Sequence, residues 1–356
     1  MNFFYFIYYT AIAELIFPSP AFYPRLALIK SEDGALFSSA ALENPTANQR
    51  RLIFVTSFSA TWNGSTNYTV IASAPNELGG VDLGNGFLFQ LENKTILCAY
   101  RHHSGVPPNR VFRIQIAASH DLGRTWGFAS TVSVGSLGVW EPFLFSAAGT
   151  LRVSYSAELQ MGVDGRAEQD IVFQESSNGG SEWGPIYSRL HTNGSRNGMP
   201  GVSLLSDGSL LLVFEGFWTG VWGAFTVNSA RSFDSSASWV QQQVVHAPRL
   251  SANAGSPQLV FCGVSEKVCT VFMSNENEPS GQIWPSGAHA GLLCAPLDRY
   301  NVSAPLDWGA SGVPIVLEAE TPFIFWPSFF FSQSEHLYVA YQGSDDASYL
   351  SEVELC

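Results

Sequence analysis

The sequence predicts an all-β fold, a six-bladed β-propeller of four-stranded antiparallel blades, and three observations lead to it. The composition is that of a β-rich chain with many turns, because 13% of its 356 residues are aromatic, only 13% are charged, and it has 32 Gly and 19 Pro. A turn motif recurs with a period close to 57 residues. A separate series of strand-opening prolines has nearly the same period.

The turn motif is Ser-X-Asp-X-Gly-X-Thr-Trp, which is complete in SHDLGRTW at 119–126. Degenerate copies are SSNGGSEW at 176–183 and SFDSSASW at 232–239, where Ser236 replaces the glycine, and the motif starts are 57 and 56 residues apart. In such a turn the Asp side chain accepts hydrogen bonds from backbone N–H groups, and glycine takes a positive φ. The motif therefore predicts hairpin turns between third and fourth strands, with Trp packed between sheets, and it indicates fold rather than activity.

The proline series opens strand-like segments such as EPFLF and MPGVSLL. Its members are Pro24, Pro142, Pro200, Pro257 and Pro327. The first step, 118 residues, equals two periods of 59, so one unit lacks its proline and is expected near residue 83, at LGNGFLFQL. Proline is tolerated at the first residue of a strand. Apolar second strands follow, as in TILCAY, TLRVSY, SLLLVF and HLYVAY. Six units of four short strands are typical of propeller blades.

We expect one catalytic domain over residues 14–356, after a signal peptide over residues 1–13. An apolar run, Phe3 to Tyr9, precedes the small-residue segment Ala11-Ile12-Ala13. The run has no basic residue before it, so the alternative is that part of it forms a strand of the mature protein. Asn-X-Ser/Thr sequons are typical of a secreted, extracellular glycoprotein. They occur at Asn63, Asn67, Asn93, Asn193 and Asn301.

The net charge limits the classes of substrate and partner, and the cysteines bear on metal sites and disulfides. A formal charge of −13 argues against a nucleic-acid partner and against an anionic substrate, because both would be repelled. A neutral substrate would not be repelled. No later apolar run is long enough to span a bilayer, and no Cys/His spacing indicates zinc. We therefore expect a monomer without a cofactor, a metal or a membrane contact. Cys262 and Cys269 flank the turn GVSEKV and are candidates for a disulfide that closes a hairpin.

Strand geometry predicts where functional residues lie. In each blade the start of the first strand and the end of the second meet on one face, so functional residues are expected just before each proline and just after each second strand. The main candidates there are Tyr23, Arg25, Arg101, Glu141, Glu158, Met199, Glu215, Ser256, Trp326 and Tyr341. Acids and arginines within such apolar segments suggest a functional role, because burying an unpaired charge is energetically costly.

Glu141, in GVWEPFLF, and Glu215, in LLLVFEGFW, interrupt apolar segments of neighbouring blades. Desolvation and mutual repulsion would separate their pKa values, which suits one protonated and one ionised acid. Such a pair hydrolyses glycosides, and the distance between the carboxyls decides retention or inversion. A salt bridge to Arg25 or Arg101 is the alternative for each acid. Glu158, in SYSAEL, competes with Glu141.

Aromatic side chains near this face are candidates for sugar contacts. Trp222 and Trp326 can stack on sugar faces or pack between blades. Tyr338 and Tyr341 point to opposite faces of the sixth blade's second strand. Tyr341 aligns one residue before the Glu215 position, so it is the candidate to reach the channel and hydrogen-bond an acid.

The blade openings YPRL, WEPFL, GMPGVSLLSDGSLLLVFEG and WPSFFF resemble glycoside hydrolase family 93, the exo-1,5-α-L-arabinanases, within the sialidase superfold. The resemblance runs from about Tyr23 to about Gly343. It implies a retaining enzyme that releases arabinobiose from linear arabinan with two glutamates and a nearby tyrosine. Carried over, Glu141 and Glu215 match the two glutamates, and the tyrosine is Tyr341 or Tyr338. The resemblance does not fix which glutamate has which role; we expect Glu141 to be the nucleophile and Glu215 the acid/base. The eroded third turn motif and the long polar loop SNENEPSGQIWPSGAH of blade five depart from the pattern, and this loop can reshape the cleft.

Two other functions stay open from the sequence. A sialidase is the first, and by resemblance it needs three arginines and a tyrosine nucleophile. Arg25 and Arg101 are well placed, but Arg249 only precedes blade five and no third arginine matches. A non-catalytic carbohydrate-binding propeller is the second, and it has no use for an acid pair. Release of sialic acid supports the first alternative, and binding without hydrolysis supports the second.

Overall fold

A computed structural model of the chain describes residues 8–10, 13–17, 20–31, 34–46, 49–56, 68–76, 80–162, 165–218, 224–249, 252–262, 265–276, 284–297, 304–311, 315–318, 323–331 and 337–353. The fold is all-β, and a 3-10 helix occupies Trp308–Ser311. Within the ranges above, no helix has the length and apolar character needed to cross a membrane.

The strands of the described residues fall into six antiparallel groups in chain order, here called units 1 to 6. Two short strands precede them, β1 (Tyr8–Thr10) and β2 (Ala13–Phe17). Unit 1 contains β3 (Ala21–Ser31), β4 (Gly34–Thr46), β5 (Gln49–Thr56) and β6 (Tyr68–Pro75). Unit 2 contains β7 (Asp82–Gln90), β8 (Ile96–His103), β9 (Phe112–Ser119) and β10 (Gly127–Gly135). Unit 3 contains β11 (Val139–Ala147), β12 (Thr150–Met161), β13 (Ala167–Ser176) and β14 (Ser188–Leu190).

The remaining strands continue the pattern. Unit 4 contains β15 (Ser195–Leu204), β16 (Leu210–Trp218), β17 (Phe225–Ser232) and β18 (Val240–His246). Unit 5 contains β19 (Ala254–Cys262), β20 (Lys267–Ser274), β21 (His289–Pro296) and β22 (Ile315–Glu318). Unit 6 contains β23 (Ile324–Phe331), β24 (Leu337–Gly343) and β25 (Ser348–Val353). A parallel bridge between Gln169 and Arg196 joins units 3 and 4.

The two N-terminal strands add a fourth strand to unit 6 and a fifth strand to unit 5. β2 pairs antiparallel with β25, so unit 6 is built from both ends of the described chain. β1 pairs in parallel with β22, at the outer edge of unit 5. Residues 8–10 therefore have strand partners although they fall within the expected signal peptide. Cleavage after residue 13 stays a prediction.

The first strands of the six units are equivalent. Each has a register shift against its second strand, and each shift contains a residue with positive φ. These residues are Tyr23 (56°), Asn85 (50°), Glu141 (47°), Met199 (52°), Ser256 (51°) and Trp326 (53°). A bulge of this kind re-aims a side chain at some cost in backbone strain. Proline follows this residue in units 1, 3, 4, 5 and 6, and Gly86 follows it in unit 2. The unit expected near residue 83 is therefore confirmed, with β7 as its first strand.

Neighbouring units pack through these first strands. β3 contacts β7, β7 contacts β11, β11 contacts β15, β15 contacts β19, β19 contacts β23, and β23 returns to β3. The hydrophobic clusters lie between units. One cluster combines Leu52 and Phe54 of unit 1 with Leu88 and Tyr100 of unit 2. Each sheet thus buries its faces against the sheets before and after it in sequence.

The three motif turns link third and fourth strands as predicted. In the complete copy, Asp121 Oδ1 accepts a 2.8 Å hydrogen bond from Thr125 N, and Trp126 Nε1 donates to Thr69 Oγ1 of unit 1 at 3.2 Å. The eroded copy keeps this geometry. Ser236 takes the glycine position with φ +71°, and Asp234 Oδ1 accepts from Ser238 N at 2.9 Å. The loss of the glycine has therefore not abolished the turn.

The disulfide expected between Cys262 and Cys269 is wrong. Cys269 is bonded to Cys294. The two residues face each other directly in the register of β20 and β21, while Cys262 ends β19 opposite Lys267. Closeness in sequence across a hairpin was therefore a poorer guide than cross-strand register.

Candidate active site

Glu141 occupies the bulge of β11, which turns its side chain toward unit 4. Its Oε2 accepts a 2.9 Å hydrogen bond from Ser156 Oγ on β12 and a long one, 3.4 Å, from the backbone N of Met199. Desolvation raises the pKa of Glu141, and the positive charges of Arg101 and Arg25 oppose that rise. The carboxyl is thus partly hidden from water but faced by two cations.

Glu215 lies near the end of β16, next to the bulge of β19. Its Oε2 accepts a 2.7 Å hydrogen bond from the backbone N of Ser256. Two glycines, Gly198 and Gly255, flank the carboxyl and leave space for it. A Cβ atom at Gly198 would lie 3.2 Å from Oε1, and one at Gly255 would lie 2.4 Å from Oε2. Desolvation, then the negative charge of Glu141, raises the pKa of Glu215 to about 7.

The two acids flank one segment of unit 4. Gly198 borders the Glu215 carboxyl, and the next residue, Met199, donates its N–H toward Glu141. Because each charge penalises the other, ionisation of both carboxyls together is unfavourable. The cations beside Glu141 favour the negative charge there and leave the proton on Glu215. The structure thus brings together the predicted pair and gives its members different electrostatic surroundings.

Arg101 is clamped on the Glu141 side of the site. Its Nε and Nη2 atoms lie 3.2 and 3.1 Å from Asp82 Oδ1. Its guanidinium carbon lies 5.4 Å from the Tyr23 ring centroid and 5.6 Å from that of Trp140, which is cation–π range. Burial alone would raise the pKa of Asp82, but hydrogen bonding to His103 and the charge of Arg101 lower it to about 2. The Arg101–Asp82 pair is therefore a fixed, charged element.

Tyr23 and Trp326 occupy equivalent bulges of units 1 and 6, and their rings pack together with centroids 4.6 Å apart. Burial raises the pKa of Tyr23, so its phenol stays protonated. Arg25, 5% exposed, donates from Nη1 to the carbonyl oxygen of Trp326 at 3.0 Å. Burial lowers the pKa of Arg25 to about 10. The structure thus brings Trp326 and Arg25 together, with Tyr23 beside them.

Glu158 is held away from the pair by a salt bridge. Its Oε1 lies 2.7 Å from Arg196 Nη2, and its Oε2 accepts from Gly138 N at 3.0 Å. The Arg196 charge lowers the pKa of Glu215 slightly, against the dominant effect of desolvation. Glu158 is therefore neutralised by its partner and does not replace Glu141.

The other predicted aromatic residues lie elsewhere. Tyr341, 2% exposed, belongs to the hydrophobic cluster between units 5 and 6 and stacks on Tyr349. Tyr338, 7% exposed, belongs to the cluster between units 6 and 1. The structure thus places both tyrosines in packing positions rather than beside the acids, because both faces of β24 are covered by neighbouring units. Trp222 lies outside the described residues.

Two polar groups in the bulges have unused hydrogen-bonding capacity. Asn85, 4% exposed, has neither amide atom bonded to a described residue, and the Oγ of Ser256 is likewise unbonded. Asn85 lines a small cavity that also contacts Arg25 and Glu141. Buried polar atoms normally have partners, so these are available to a bound hydroxyl or water. Within the described ranges, no cluster of His, Cys, Asp or Glu could hold a metal ion.

Comparison with known proteins gives a match at the level of structure. No protein-family model matches the sequence, and no curated protein matches it. The GH93 α-L-arabinofuranosidase of Fusarium graminearum, solved with arabinobiose, superposes with a TM-score of 0.66 at 18% identity, covering 97% of this chain and 98% of that one. The Penicillium chrysogenum α-L-arabinanase, also with arabinobiose, gives 0.63 at 20% identity, covering 97% and 98%. The chain has their fold.

A sialidase shares this fold too. A Hadza microbial sialidase superposes with a TM-score of 0.60 at 15% identity, covering 93% of this chain and 66% of that one. The resemblance indicated by the blade openings is therefore confirmed for the fold, which is sialidase-like.

Sequence reasoning missed three residues of the site. Asp82 opens β7, in the unit that lacks the proline landmark. Arg196 lies three residues before Met199, near the start of β15, and a basic residue shortly upstream of a strand-opening proline was the signal that could have found it. Trp284 lies in the long polar loop of unit 5, beside Gly255. A tryptophan in an otherwise polar loop was the available signal there.

Proposed function

We propose that units 1 to 6 are the blades of a six-bladed β-propeller and that the protein is a secreted, retaining glycoside hydrolase. The closed series of contacts from β3 through β23 and back to β3 supports the propeller. The observation that carries the enzymatic proposal is the acid pair: Glu215 holds its proton near neutral pH, and Glu141 faces Arg101 and Arg25.

The pair divides the work of a two-step displacement. The Glu141 carboxylate attacks the anomeric carbon while Glu215 gives its proton to the leaving oxygen, so the glycosidic bond breaks as a glycosyl ester forms. Glu215, now ionised, removes a proton from a water molecule that attacks the same carbon. The ester breaks, the sugar leaves with retained configuration, and Glu215 is protonated again. The Ser156 hydroxyl and Met199 N–H hold the Glu141 carboxylate in place.

The substrate we propose is linear α-1,5-L-arabinan, cleaved from its non-reducing end to arabinobiose. Two proteins of the same fold were solved with arabinobiose. Arabinan is neutral, which suits a chain with a formal charge of −13. Asn85 and the rings of Tyr23 and Trp326 supply the polar and apolar contacts that a sugar needs. The reaction uses no cofactor, and the proposed enzyme acts as an extracellular monomer.

A sialidase is the second candidate because a sialidase shares the fold. Two observations count against it. Arg101 is already neutralised by Asp82, so it is a poor ligand for a substrate carboxylate. The raised pKa of Tyr23 disfavours a phenolate nucleophile. A non-catalytic sugar-binding protein would have no reason to retain two mutually repelling acids.

The decisive experiment is incubation with linear 1,5-arabinan and analysis of product size. Arabinobiose as the sole early product is expected from the wild type, and loss of at least about a thousandfold in rate is expected for Glu141→Gln and Glu215→Gln. A ladder of products would replace the exo assignment with endo action. Release of sialic acid from a conjugate, or arabinan binding without hydrolysis that is unchanged by Glu215→Gln, would overturn the proposal.

A further inference from the structure

Trp284 stands beside the Glu215 carboxyl. A Cβ atom built at Gly255 would lie 2.4 Å from Glu215 Oε2 and 3.4 Å from Trp284 Cζ2. The indole and the carboxyl therefore border the same space over the bare backbone of Gly255. Any larger residue at this position would displace one or both. The glycine thus allows an aromatic ring to approach an acid that the proposed mechanism keeps protonated.

The turn that carries Trp284 is fixed at its far end. Ala288 is fully buried, and its N–H donates to the carbonyl oxygen of Pro285 at 3.2 Å. The carbonyl oxygen of Ala288 accepts from Ile324 N at 2.8 Å, which ties the turn to the start of β23. Trp284 itself is only half-buried. A pre-ordered, partly exposed ring loses little entropy when it binds a ligand.

The position of Trp284 decides which part of a glycan it can meet. The acid that protonates the leaving oxygen lies on the leaving-group side of the bond, and in the proposed function that acid is Glu215. The rings of Tyr23 and Trp326 and the Arg101 guanidinium gather on the Glu141 side, where the sugar under attack must lie. The Trp284 ring is therefore separate from the group that surrounds the nucleophile.

We propose that Trp284 is the platform for the sugar residue on the leaving-group side of the scissile bond. This inference rests on the proposed function and deepens it. The ligand class is a neutral sugar whose apolar C–H face covers the indole. The loop expected from the sequence to reshape the cleft thus recognises the departing chain, and the aromatic group of units 1 and 6 recognises the released sugar.

Two substrates that share a glycone but differ in leaving group test this. Linear arabinotetraose has a sugar for Trp284 to contact, and arabinobiosyl fluoride has none. Trp284→Ala is expected to lower kcat/KM for the tetraose roughly tenfold to a hundredfold and to leave the fluoride within about twofold. Trp284→Phe, which keeps an aromatic face, is expected to recover most of the loss. The pH profile of the alanine variant with the fluoride is expected to match the wild type.

Every other result would contradict the platform, the proposed function or both. Equal losses on both substrates would mean that Trp284 supports the acid or the fold, and would overturn the platform. Unchanged activity of Trp284→Ala on the tetraose would overturn it as well. Wild-type protein that cleaves neither substrate would refute the proposed function and this inference together. Cleavage of the fluoride alone by the wild type would keep the glycosidase and refute the leaving-group site.

Discussion

Glu215→Gln removes a titratable proton from the acid pair while keeping the shape of the side chain. In the folded protein the pKa of Glu215 is about 7, against 4.5 for an unperturbed glutamate. The folded state therefore binds more protons than the unfolded state between these values, and stability falls as the pH rises through this window. At 1.36 kcal/mol per pKa unit, the wild type loses up to about 3 kcal/mol between pH 4.5 and pH 8 through this group.

The glutamine variant lacks this loss. Its free energy of unfolding relative to the wild type is expected to rise by up to about 3 kcal/mol between pH 4.5 and pH 8. With an unfolding entropy of about 2.1 cal/mol/K per residue, this corresponds to a Tm difference of roughly 4 °C at pH 8. Urea unfolding at both pH values measures the effect. Glu92→Gln, at an exposed turn, is the matched control.

Parallel stability curves against pH for the two proteins would refute this prediction, because that result means that Glu215 ionises as readily in the folded as in the unfolded state. A variant less stable than the wild type at pH 8 would refute it as well. The expected combination, a more stable protein without activity, is characteristic of a residue retained for chemistry rather than for folding.

Two further changes probe the site and the scaffold. Gly255→Ala places a methyl group 2.4 Å from Glu215 Oε2 and is expected to lower kcat at least about a hundredfold. The control is Gly127→Ala, where no atom lies within 4 Å of the added methyl group, and it is expected to leave kcat unchanged. Similar rates for both variants on linear arabinan would contradict this prediction. Cys269→Ser removes the disulfide to Cys294, which spans a sequence separation of 25. The substitution is expected to lower the free energy of unfolding by about 3 kcal/mol, measured in urea, with little change in kcat. Equal unfolding free energies of the variant and the wild type would contradict this prediction.

The sequence repeats made it possible to predict the order and position of the strands. The prolines and the turn motif recur at one period, so they placed the first strands and the third-to-fourth turns, including β7, whose proline is missing. The same register placed Glu141, Glu215, Arg25, Arg101 and Trp326 near one another, because equivalent positions in equivalent units face the same place. The bulges were not foreseen, since positive φ at residues such as Glu141 contradicts local preference.

Individual side chains were harder to place. Alternation along β24 shows that Tyr338 and Tyr341 face opposite ways, but both faces of a blade are packed against neighbours, so alternation alone does not identify the one facing the channel. The disulfide depended on the register of β20 and β21, which short-range spacing does not determine. Trp284 comes from a loop outside the repeat, and no periodic argument reaches it.

In the proposed mechanism Glu141 is the nucleophile and Glu215 is the proton donor. A slow arabinobiosyl substrate analogue with a good leaving group, followed by digestion and mass spectrometry, identifies the carboxyl that becomes esterified. We expect a single labelled peptide carrying the sugar on Glu141. A label on Glu215 or on another residue, or hydrolysis with inverted configuration and no trapped ester, would contradict the account.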